Sequence, residues 1–116
     1  MNVTMQDSVS VAANGTNTNV VSGQRYDRVP FNAIGNLFCT GSALGLTAEL
    51  NIGGNSITPP TKVNAQNRLP VVPDDILTQE WEAPEGKLVQ VTVVNTTAGA
   101  LTFFWRIDLS EADYAQ

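Results

Sequence analysis

A chain of 116 residues with no histidine, a single cysteine and a net charge of −5 excludes several chemistries before any pattern is read. Without histidine, the Ser-His-Asp and Cys-His nucleophile arrangements and the common zinc and non-haem iron ligand sets are ruled out, and one thiol cannot close an internal disulfide. Six cations, Arg25, Arg28, Lys62, Arg68, Lys87 and Arg106, are too few to neutralise a track of phosphates. Neither direct nucleic-acid binding nor attachment to an anionic membrane surface is expected from them.

The length suits one domain, 1–116, large enough to bury a core without staples. Cys39, beside Phe38, reads as a small buried hydrophobe. No apolar run approaches the roughly 20 residues of a membrane span, so no membrane span is expected. The start, MNVTMQDSVSV, has neither a basic region nor an apolar stretch of a secretory signal. Charged residues make up only 15% of the chain while Asn and Thr are frequent, a surface composition suited to packing against copies or partners.

From the N-terminus, Val3, Met5, Val9 and Val11 share one face of 1–13, interrupted by Asp7, where a bulge is expected. Two readings fit this segment: an N-terminal strand of the domain, or an arm exchanged with the sheet edge of a neighbouring subunit. Asn14-Gly15 is a two-residue hairpin signal. Short runs follow at Val20-Val21 and Arg25 to Phe31, where Tyr26 alternates with charged neighbours and Pro30 restricts the strand to an edge. Ile34 to Thr40 reads as a small buried strand. Leu44 to Ile52 alternates cleanly, Gly53-Gly54-Asn55 returns it into Ser56 to Thr58, and Pro59-Pro60 ends that hairpin. From Thr61 to Pro73 an extended surface connection is expected, then a strand from Ile76 to Ala83 containing Trp81.

Two apolar runs complete the pattern. Val89, Val91 and Val93 mark a strand expected to be central in its sheet. Leu101, Phe103, Trp105, Ile107 and Leu109 alternate with polar residues, apart from Phe104, and mark a second strand with one buried face. The turn residues Asn95 to Gly99 suit a hairpin between them. Ser110 to Gln116 is read as one capped helical turn or a frayed tail. No segment sustains a helical period. About eight short strands with Gly and Pro at the joints therefore predict an all-β fold, a two-sheet antiparallel sandwich of jelly-roll type.

Candidate chemistry is sparse. The sequons at Asn2, Asn14 and Asn95 have a simpler explanation in turn formation. Asp74, Asp75, Glu80, Glu82 and Glu85 form the densest acidic patch; their spacing matches no calcium loop, and a solvated rim accounts for them. Glu80 or Glu82 beside Trp81 imitates half of a glycosidase pair, in a domain with little room for a cleft. Trp81, Trp105, Tyr26 and Tyr114 are the candidates for a sugar-stacking platform. Trp105 falls on a core face, so Trp81, between two glutamates, is the only credible candidate for exposure, as a glycan contact or an interface anchor, and the sequence leaves its exposure open. Neither a catalytic residue, a cofactor nor a metal is assigned.

The last third, through Val71-Val72-Pro73-Asp74-Asp75, Ala83-Pro84-Glu85-Gly86-Lys87-Leu88, Val91-Thr92-Val93-Val94-Asn95-Thr96 and Phe103-Phe104-Trp105-Arg106-Ile107, resembles the small single jelly-roll proteins of virus and phage shells. The resemblance covers about a third of the chain. It implies a virion protein assembled in the host cytoplasm, which forms or cements an icosahedral lattice without catalysis. Its partners would be copies of itself, as trimers or pentamers, and other capsid proteins. The lack of a basic arm departs from shell proteins that line a genome and favours an outer, decorating position. On this reading Val3, Met5, Tyr26, Trp81 and Phe104 are the expected interface residues. A carbohydrate-binding module, or a receptor-binding virion component, is the alternative.

Overall fold

The computed structural model describes residues 2–72 and 74–112. They form eight strands: β1 (Asn2–Val11), β2 (Thr16–Asn17), β3 (Ala33–Gly41), β4 (Leu46–Ile52), β5 (Asn55–Lys62), β6 (Ile76–Ala83), β7 (Val89–Asn95) and β8 (Leu101–Glu111). One sheet has the order β1-β8-β3-β6 and the other β2-β7-β4-β5, with every pairing antiparallel. Between them the two sheets pair the first strand with the last, the second with the seventh, and so on inward, alternate pairs going to alternate sheets. That order is what results when one long hairpin of strand pairs is rolled into two layers, and it makes the domain a jelly roll.

The alternation seen in the sequence becomes the core. Phe103, Trp105, Ile107 and Leu109 of β8 point inward and are fully buried, facing Val89, Val91 and Val93 of β7 and Leu46, Ala48 and Leu50 of β4. β8 is central, with β1 on one side and β3 on the other. Gly53-Gly54, at φ +57° and +88°, makes the two-residue turn between β4 and β5 that L side chains resist.

Several expectations need correction. β1 pairs with β8 over its whole length, without the bulge expected at Asp7. Asp7 instead stays exposed, accepting hydrogen bonds from the Ser8 N–H and Gln24 Nε2. β7 and β8 are not a hairpin, nor are β1 and β2 across Asn14-Gly15; in both cases the loop crosses from one sheet to the other. β5 runs through Pro59-Pro60 to Lys62, which is tolerated because β5 is an edge strand. Arg25 to Phe31 is not a strand. Asn19 explains why β2 stops early: its Oδ1 accepts from Val21 N and Val91 N, and its Nδ2 donates to Val89 O. One side-chain amide thereby replaces ladder bonds that a longer β2 would make to β7. Ser110 lies inside β8 and caps no helix; Asp113 to Gln116 lie outside the described residues.

The registers place the loops β1–β2, β3–β4, β5–β6 and β7–β8 at one end of the sandwich. Asn95 knits that end together. Buried at the end of β7, it donates from Nδ2 to Val11 O and Gly99 O and accepts at Oδ1 from the Thr97 N–H and hydroxyl. The side chain is fully engaged, so the sequon at Asn95 is closed to a glycosyl transferase in the folded protein, whereas Asn2 and Asn14 are exposed. Asn95→Ala strands the buried partners of this amide and should destabilise the fold by roughly 2–4 kcal/mol, measured by urea denaturation.

Candidate functional site

The sequence-derived interface residues do not converge on one surface. Val3, Met5 and Trp81 are buried within their own chain, and only Tyr26 and Phe104 remain half-exposed. Val3, Met5 and Tyr26 do meet, along a shallow depression beside the first half of β1, with the Arg25 guanidinium 5.3 Å above the Tyr26 ring. Phe104 lies on the outer face of the β8 sheet, opposite Thr40 in register. Trp81 is on the far side of the molecule, and Tyr114 lies outside the described residues.

Trp81, the candidate for exposure, is buried: only 4% of it is accessible. Two features of the strands bury it. In β6, Gln79 and Glu80 together face the single residue Asn36 of β3, so the strand bulges. Glu80 takes the left-handed conformation at φ +55°, held by a 2.9 Å bond from its N–H to Asn36 Oδ1. The bulge sets Trp81 and Ala83 facing inward and leaves Glu80 and Glu82 exposed. Opposite Trp81, Gly35 has no side chain, and the six-membered ring of the indole occupies the place a methyl group there would take. The Trp81 Nε1–H is fully buried and has no hydrogen-bond partner, the one such side-chain group among the described residues.

Trp81 also lines a groove of about 600 Å³ between the free edges of β5 and β6. Asn55, Ser56 and Ile57 form one bank, and Thr78, Gln79 and Glu82 the other, with Ile52, Pro84 and Lys87 at the end away from the apolar loops. Glu82 is the only carboxylate among these residues, and Glu80 is not among them. The paired acids of glycoside hydrolysis are therefore not assembled here.

The acidic patch also divides. Asp75 is buried and its carboxylate is occupied, accepting from Arg68 and, at 2.8 Å, from the Val71 N–H. Its backbone accepts from Cys39 N and donates to Val71 O, while Thr40 Oγ1 donates to Arg68 O. These bonds pin the β5–β6 connection to β3, and none of their signals was visible in the sequence beyond an unremarkable Asp-Asp pair. Burial alone raises the Asp75 carboxyl, but the Val71 N–H and the Arg68 guanidinium outweigh it and hold the pKa below the ordinary carboxylate value. Cys39, next to this cluster, is pushed up to about 12 by burial and, secondarily, by the Asp75 charge.

Two outcomes follow from this cluster. Cys39 should remain unmodified by a thiol reagent at pH 8 in the native protein and react on unfolding in denaturant. For Asp75 the folded pKa lies below the unfolded one, so its stabilisation is complete above the unfolded value near 4 and is lost as pH falls through the folded value. The protection of the Val71 amide relative to its intrinsic exchange rate should therefore fall in acid, and Asp75→Asn should abolish that pH dependence while lowering protection at neutral pH.

No protein-family model matches the chain, and no curated protein matches it.

Proposed function

We propose that this chain is a structural subunit of a virion, a jelly roll that builds or decorates an icosahedral shell through contacts between subunits, with no catalytic step. The observation that carries the assembly reading is the distribution of exposed apolar side chains. Leu44, Leu69, Val71, Val72 and Ile76 are the large hydrophobics left exposed among the described residues. All of them lie in the β3–β4 loop, in the β5–β6 connection or at the first residue of β6, at one end of the sandwich. Leu44 is 75% accessible. Scattered apolar residues on a surface need no explanation, but their concentration at one end supports reading that end as an interaction surface.

That end is also pre-organised. The Asp75 cluster holds the turn that presents Leu69, Val71 and Val72, so less ordering has to be done when a partner covers them. A ring of three or five copies with these ends toward the axis would bury the patch in a closed assembly. The viral part of the reading is supported by the resemblance of the last third of the chain to shell proteins, and by a strand order that capsid and lectin domains share.

Native mass spectrometry over a concentration series tests this reading. A trimer or pentamer is expected, and the double variant Leu44→Asp, Val71→Asp should weaken it about a hundredfold, on the order of 3 kcal/mol, with the melting temperature little changed. A wild-type monomer at every concentration that also fails to bind assembled shells would overturn it.

A further inference from the structure

We infer that the groove between β5 and β6 is a binding site for a neutral saccharide, with the Trp81 Nε1–H as a hydrogen-bond donor to one of its hydroxyl oxygens. Buried polar groups in native proteins are paired almost without exception, and one that is not needs a reason. Trp81 spends more than nine-tenths of its surface on the core yet leaves its N–H without an acceptor, and it does so in the wall of this groove. A phenylalanine would fill the space over Gly35 without that cost. The strained backbone next to it points the same way. A non-glycine residue at φ +55° costs energy, and here it serves to turn Trp81 inward beneath the groove.

The lining chooses among ligand classes. Its charges, Glu82 and Lys87, cancel, and the remaining polar groups are amides and hydroxyls that both donate and accept. Interleaved with them are the half-buried Ile57 and Pro84, which offer apolar surface. A sugar ring presents the matching pattern of hydroxyls that donate and accept, on a framework with C–H faces. An anionic ligand finds one cation in the groove of a chain that is itself acidic. A peptide strand is disfavoured as well. The β6 edge is bulged, the Glu80 N–H is already committed to Asn36, and β5 carries Pro59-Pro60, so neither edge offers an unbroken ladder. The volume lies within the range of small-ligand sites. The Nε1–H itself is shielded, so the inferred contact requires the groove wall to open over it; Gln79, Glu82 and Lys87 are exposed lining side chains free to move.

The test is a titration of the ¹⁵N-labelled full chain with cellobiose, maltose, lactose and chitobiose. The two tryptophans give two indole N–H signals, and Trp105, fully buried in the core away from this edge, is the internal control. Expected is a saturable shift of the Trp81 signal with at least one disaccharide and none of the Trp105 signal. Trp81→Phe should lose at least tenfold in affinity while its melting temperature stays level or rises, because the unpaired N–H is gone. Gln79→Ala, an exposed position, should lose several-fold and decides the matter if the first variant does not fold. No saturable shift with any of the four sugars, or wild-type affinity in the variants, would overturn the inference. The readout does not depend on oligomeric state, and the groove lining shares no residue with the exposed apolar patch, so it stands or falls separately from the assembly reading.

Discussion

The inward face of β8 is the constraint on which the rest of the molecule depends. Phe103, Trp105, Ile107 and Leu109 supply the largest continuous block of fully buried side chains, and their strand hydrogen-bonds on both sides, to β1 and to β3. The two partners come from the opposite end of the sequence. Every other layer contact is arranged by this choice: β3 brings β6 to the edge, and the loops β1–β2 and β7–β8 must then carry the chain across to the second sheet. The side-chain network of Asn95, Val11, Thr97 and Gly99 exists because those two crossings meet at one end.

Side chains replace backbone at the places where this topology leaves the ladder incomplete. Asn19 bonds to β7 where β2 stops, Asn36 takes the N–H that the Glu80 bulge releases, and Asp75 caps the Val71 turn. A jelly roll with strands this short has many such ends, and buried backbone groups must be paired somewhere. The abundance of Asn and Thr, read from the composition as a surface suited to packing, is in part this internal carpentry.

The layout was legible where one physical signal decided it. Strict alternation identified β4 and β8, and Gly53-Gly54 identified the tight turn, because period and φ both follow from local chemistry. What remained hidden depends on partners distant in sequence. Asn95 to Gly99 has the same composition whether it closes a hairpin or crosses between sheets. Asp7 broke the apolar face in the sequence and signalled a bulge, yet it is accommodated by Gln24 with the register intact. The largest ambiguity concerned Trp81. Flanking glutamates argued for exposure, but in a strand the neighbours point the other way, and the space above Gly35 decides. The groove itself was not legible, since its two banks are separated by the whole β5–β6 connection.

The order of strands also has a meaning in time. β8 is synthesised after every strand it pairs with, and contacts between the two halves of the chain dominate the fold. While the ribosome still holds β8, β1 and β3 have no strand between them, and the valines of β7 have no facing layer. The sandwich is therefore incomplete until β8 has been made and has inserted between β1 and β3. Chains truncated before β8 would leave β1 and β3 with open edges of the kind that aggregate.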